Sequence, residues 1–238
     1  SRLIDAGLRA GGRRVLTKTT GTRPRFIDVD GQERPVHRRG QASIREQLAT
    51  LRHAAQQGAE VLVVECMAVL PEYQEASEER MLRADVAVIT NVRPDHPEEM
   101  GADLGDVAAA LALTLPTNGA AFTADAAYAD VFAARAAQKG STCALAAPCH
   151  DDPPDFAENV GLALAAEDAG DVMPAAGAQV GGTLQELIEQ ITIRTMDFDT
   201  VKPSLFRVFS TFTISLNNRR DFIQHQSARH FKAFHRTH

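Results

Sequence analysis

Long apolar runs are missing from this 238-residue chain. None approaches the roughly 20 residues that a membrane-spanning helix needs, and the first residues match neither a signal peptide nor a transit peptide. Cysteine is scarce. Cys66, Cys143 and Cys149 are an odd count without framework spacing, which argues against a disulfide-stapled secreted fold and fits a reducing cytoplasm. Cys143, Cys149 and His150 lie close enough in sequence to share a metal, but no second pair accompanies them, so no zinc site is read there. Internal repeats and low-complexity tracts are absent too. What is present is 44% hydrophobic, enough to bury the core of one soluble domain with or without an appendage.

Charge is unevenly spread. Residues 1–172 carry 17 Lys+Arg against 26 Asp+Glu, a net of −9, whereas residues 173–238 carry 8 against 5, a net of +3. The second part also holds seven of the eleven Phe and four of the eight His. So abrupt a change predicts a boundary near Met173, with one domain over 1–172 and a basic, Phe/His-rich tail over 173–238. The end NNRRDFIQHQSARHFKAFHRTH has the ingredients of a nucleic-acid patch. Neither a fold pattern nor a motif supports that use, so no nucleic-acid partner is expected; the alternative is a basic end or the product of a frame change.

Within the first part, strands and helices alternate. Val61 to Val64 form an apolar β-branched run without polar alternation, as in a parallel strand covered on both faces. DVAVITNV, AAFTADA and STCALAA read the same way, and RRVLTKTTGT reads as a strand running into a polar loop. Helices are expected over about 1–11, 43–57, 71–83, 103–115, 126–139 and 156–169. Ser43 is the expected cap of the second, with Glu46 at the capping-box position, and Arg34 to Gly40 reads as a basic turn. This order implies right-handed βαβ units and an α/β fold with a mostly parallel sheet flanked by helices. The tail is expected to be short α/β or disordered: Thr183 to Ile191 suits an amphipathic helix and LFRVFSTFTISL a single strand.

Two strand ends carry chemistry. Glu65 follows Val61–Val64, and Asp95-His96 follow VAVITNV. Ligands of open α/β sheets bind at the carboxyl ends of strands, so Glu65 is either a metal or substrate group or a solvated loop residue. Adjacent strand ends lie about 5 Å apart, close enough for Glu65 and His96 to share Mg²⁺ or Mn²⁺ with phosphate oxygens. A histidine between two prolines also fits an exposed loop.

The runs RLIDAGLRAGGRRVLTKTTGT, GQASIREQLATLRHAAQQGAEVLVVECMAVLPEYQ, ADVAVITNVRPDHPEEMG and LPTNGA resemble the ligase subunit of bacterial poly-γ-glutamate synthase, the PgsB/CapB family of the Mur ligase superfamily. The resemblance covers about residues 1–170. It implies a central ATPase-type domain of an ATP-dependent ligase with ATP and Mg²⁺ (or Mn²⁺) as cofactors. ATP would phosphorylate the terminal carboxylate of poly-γ-glutamate, and the amino group of an incoming glutamate would attack the acyl phosphate to form a γ-amide. Glu65 and His96 match the family's carboxylate and imidazole at the second magnesium, and with Lys18 they are the implied catalytic residues. Thr20, Gly21 and Thr22 would line the acceptor side of the phosphates, Asn91 would hold a phosphate or water, and Asn159 resembles the residue that touches adenine. Arg23, Arg25, Arg38 and Arg39 either grip an acidic polymer or are solvated. The resemblance further implies an integral-membrane synthase subunit as partner, a homo-oligomer, and a place at the inner face of the cell membrane by way of an N-terminal anchor.

Three departures qualify it. The family's first strand and Gly-Lys-Ser/Thr phosphate loop would stand before Ser1; GADLGDVAAALALTLP has no lysine of the kind many superfamily members modify; and the tail does not resemble the family's C-terminal domain. The expected function is therefore poly-γ-glutamate ligation, possible loss of activity included. The rivals are another Mur-type ligase acting on a folate or a peptidoglycan precursor, a non-catalytic truncated product, and a generic partner-binding α/β module.

Overall fold

The computed structural model describes residues 1–21, 23–38, 42–149, 157–172 and 207–212. Helix α1 (Arg2–Ala10) leads into β1 (Val15–Lys18), followed by β2 (Arg25–Ile27), β3 (Glu33–Pro35), α2 (Glu46–Gln56) and β4 (Val61–Glu65). Then come α3 (Pro71–Ser77) with a π turn at Glu78–Leu82, β5 (Val86–Ile89), α4 (Pro97–Met100), α5 (Leu104–Ala112), β6 (Ala120–Thr123), α6 (Ala129–Gln138), β7 (Thr142–Leu145), α7 (Ala157–Val172) and β8 (Arg207–Phe212). The strands form one sheet in the order β3-β2-β1-β4-β8-β5-β6-β7. Every pairing is parallel except β1 with β2 and β2 with β3. The expected mostly parallel α/β sheet is what the chain forms.

The apolar strands work because both faces are covered. Val61 and Val63 of β4 pack beneath Ile4 and Leu8 of α1 and Leu162, Ala163 and Ala166 of α7. Leu62 and Val64, pointing the other way, pack with Leu16, Leu51, Ala54 and Leu82. A third cluster joins Ile89 to Leu111, Leu115 and Phe132; each fully buried side chain of that size contributes about 2–3 kcal/mol. Small residues let α7 come close. A Cβ on Gly161 would lie 2.0 Å from the Ala147 carbonyl oxygen, and one on Gly7 would meet the Glu167 carboxyl.

A buried polar latch ties α1 to the sheet. Arg9 donates to Asp5 at 2.9 Å and to the carbonyls of Val15, Val29 and Asp28 at 2.6, 2.9 and 2.8 Å, while Thr17 donates to Asp5 at 2.6 Å. One guanidinium thereby satisfies three carbonyls from two segments, β1 and the turn after β2, which its planar fork permits.

The structure corrects four local expectations. The basic turn at Arg34 is part of a short antiparallel hairpin, β2 with β3, at the sheet's edge. Glu46 makes no capping box; α2 starts after Arg45 without a side-chain cap, because the Glu46 carboxylate is taken by two cations described below. β4 and β5 are not neighbours, since β8 lies between them. Two strand spacings, about 10 Å, therefore separate the ends that were expected to adjoin. Finally, the tail strand is present over Arg207–Phe212 but pairs inside the sheet of the first part. The helix expected at Thr183–Ile191 lies outside the described residues.

Candidate functional site

Glu65 ends β4 at the carboxyl edge, half-buried. One of its oxygens accepts from the Thr20 backbone N–H at 2.6 Å and the Thr20 hydroxyl at 3.1 Å, and the other accepts from the Ser1 hydroxyl. β1 and β4 are parallel neighbours, with Lys18 opposite Val64, so the loop leaving β1 necessarily reaches the end of β4. Gly21, next in that loop, has φ +86° in open space, a conformation that costs glycine little. Thr22 lies outside the described residues.

Lys18 is the last residue of β1 and is fully buried. Its ammonium lies 2.8 Å from Glu46 Oε1 and 3.8 Å from Met67 Sδ. Arg38 grips the same carboxylate from outside, Nε at 2.7 Å and Nη2 at 3.0 Å. Burial pulls the Lys18 pKa below its ordinary value, with Glu46 opposing. Burial pushes Glu46 up, but hydrogen bonds from Arg38 and Lys18 outweigh it and hold the carboxyl below its usual range. Lys18 thus sits under the loop as a fixed charge, engaged by a protein carboxylate. Nothing in the sequence pattern pointed to Glu46 in that role; its signal was a capping box.

On the far side of β8, Asn91 follows β5. Its Oδ1 is buried and has no hydrogen-bond partner, an unmet acceptor at the same edge of the sheet as Glu65. His96 is exposed, in a left-handed turn at φ 45°, 3.7 Å from Asp95 and 3.8 Å from Glu99. Glu65 is held by Ser1 and Thr20, and His96 by its own loop, so the two do not form one cluster. Among the described residues no group of three His, Cys, Asp or Glu side chains is placed to hold a metal. The oxygens of Glu65, Thr20 and Asn91 are hard donors that suit Mg²⁺ or Mn²⁺, provided phosphate or water oxygens supply most of the shell. Asn159 is exposed on the first turn of α7. Of the arginines, Arg25 lies 3.7 Å from Glu33, Arg23 is exposed, and Arg39 is outside the described residues. Cys66, Cys143 and Cys149 are free thiols. No described helix is long and apolar enough to cross a membrane.

No family model matches the chain. PGA synthase CapB of Bacillus subtilis is 38% identical over 146 residues, covering 60% of this chain and 36% of its own length. The capsule biosynthesis protein CapB of Bacillus anthracis is 35% identical over 179 residues, covering 71% of this chain and 39% of its own. The chain therefore spans little more than a third of the curated relatives it matches. Among solved structures, Escherichia coli FolC in complex with DHPP and ADP is 17% identical with a TM-score of 0.48, over 77% of this chain and 51% of that one. On the sequence identities, the matched part of this chain is similar to the CapB proteins of both organisms.

Proposed function

We propose that the chain is the ATPase-type portion of an ATP-dependent ligase that joins glutamates through γ-amide bonds. The support is the identity to CapB over 60% and 71% of the chain in the two comparisons, together with a carboxylate, Glu65, held at the carboxyl edge of a parallel sheet by the loop after β1. The second of these observations carries the reading, because it gives a divalent cation a ready-made anionic ligand where α/β sheets take their ligands.

When bound, Mg²⁺ neutralises phosphate oxygens and aligns them with the carboxylate to be activated. Glu65 would hold the cation through the oxygen that here accepts from the Ser1 hydroxyl, while the Thr20 amide and hydroxyl keep its other oxygen in place. The unpartnered Asn91 Oδ1 would accept a hydrogen bond from a water or other donor brought to that edge. Lys18 supplies positive charge from beneath the loop without leaving Glu46, a preorganised field that costs no reorganisation when negative charge gathers above it. His96, which here lies beside Asp95 and Glu99, would have to turn inward with its loop to hold a second cation. On the resemblance, glutamate and poly-γ-glutamate are the substrates, an integral-membrane subunit is the partner, the assembly is a homo-oligomer, and it works at the inner membrane face. Asn159 is assigned to adenine on the same ground, and the domain boundary is placed near Met173.

The test is calorimetric titration of Mg-ATP into the chain, into a version carrying a Gly-Lys-Ser segment ahead of Ser1, and into the Glu65→Gln form of whichever binds. Binding that weakens at least tenfold in Glu65→Gln is expected. Equal binding with and without Glu65 would overturn the assignment.

A further inference from the structure

The central position of β8 is not explained by the proposed function. Its six residues come from the far end of the chain, yet they lie between β4 and β5, parallel to both, with Glu65 opposite Thr211 and Ile89 opposite Phe212. The ladder geometry shows what this strand satisfies. The Val61 N–H donates to the Arg14 carbonyl on the β1 side, so with alternation along the strand Leu62 and Val64 turn their N–H groups towards β8. Likewise Ala120 donates to the Asp85 carbonyl, which puts Asp85 and Ala87 on the β6 side and turns Val86 and Val88 towards β8. Leu62, Val64, Val86 and Val88 are all at most 3% exposed. Buried amides without partners are costly, so this slot demands a strand.

We propose that the gap between β4 and β5 is a strand-acceptor site, and that Arg207–Phe212 fills it as a separable insert which sets the spacing between the Glu65 and Asn91 halves of the candidate site. Strand addition of this kind draws its affinity from main-chain hydrogen bonds. The ligand class is accordingly an extended, proline-free peptide entering parallel to both neighbours, and the committed occupant is the chain's own 207–212 segment. Only the word "site" rests on the ligase reading; the insertion itself needs neither nucleotide nor metal.

The experiment is residue-resolved amide exchange on the full chain and on Ser210→Pro. Ser210 lies opposite Val64 and Ala87, and proline there removes a ladder donor from a central strand. Leu62, Val64, Val86 and Val88 should lose protection by about 100-fold while Val63 and Ala87, which face β1 and β6, keep theirs. A synthetic peptide of residues 204–215 added to the variant should restore the four. Unchanged protection in Ser210→Pro overturns the proposal. If the variant opens throughout, recovery of the sheet amides on adding the peptide supports it and failure to recover overturns it. Because the readout is free of Mg-ATP, failure of the ligase reading leaves this result intact.

Discussion

Replacing Glu46 with alanine strands a charge. Lys18 has no exposure, and Glu46 is 15% exposed at the side chain, so the carboxylate is the buried ammonium's counterion. Removing one partner of a fully buried pair costs about 3–5 kcal/mol; water reaching the vacated Glu46 position lowers this to roughly 2–3 kcal/mol, and Arg38, nearer solvent, adds little. With a urea slope of about 2 kcal/mol/M, the unfolding midpoint followed by circular dichroism should fall by roughly 1–1.5 M at pH 7. The pH dependence gives the sharper check. Lys18 titrates below 10.5 in the folded state because burial lowers it, and Glu46 opposes that lowering. Between the folded and unfolded values the unfolded chain binds the extra proton, so stability rises with pH there. Loss of Glu46 moves the folded value lower still and widens that window. The penalty of Glu46→Ala should therefore shrink as pH climbs towards 10.5. A midpoint shift below about 0.3 M at pH 7, or a penalty that does not change with pH, would refute the buried-counterion argument.

Three other outcomes follow from the packing. Gly161→Ala forces a methyl against the Ala147 carbonyl and should destabilise by about 1–3 kcal/mol, read as a lower denaturation midpoint; no loss would mean α7 can slide away without cost. Arg9→Lys keeps the charge but gives up the fork that reaches three carbonyls, so it should lose about 2 kcal/mol, and a variant as stable as the parent would show the fork to be dispensable. Burial pushes the thiols of Cys66 and Cys143 to about 11. Both should alkylate slowly at pH 8, with rates rising about tenfold per pH unit up to pH 10; mass spectrometry showing either one modified as fast as in urea would contradict that.

Much of the sheet was legible because its strands advertise their environment. Val61 to Val64 and Val86 to Ile89 lack polar alternation, and only a strand covered on both faces tolerates that. The hairpin β2–β3 gave no such signal: Arg25–Ile27 and Glu33–Pro35 are three residues each, charged, with a proline at the edge. The 207–212 stretch could be read as a strand, but its partners could not, since local pattern carries no information about a neighbour more than 100 residues away. At the candidate site, Glu65 stood out by position alone, and the Thr20 loop by its resemblance to a family motif. The engagement of Lys18 was hidden because its counterion, Glu46, lies 28 positions on and carried a plausible helix-capping reading of its own.

The late arrival of β8 has a consequence for how the protein is made. A sheet whose middle strand is translated after its neighbours cannot close around that strand before residues 207–212 have been made. Until then β4 and β5 present two unpaired apolar edges, the kind of surface that recruits other chains. Contacts between positions 61–65 and 207–211 also raise the contact order, which slows folding. Recovery of soluble protein should therefore depend on expression rate and temperature, with slower synthesis giving each chain time to insert its own strand before meeting another's exposed edge.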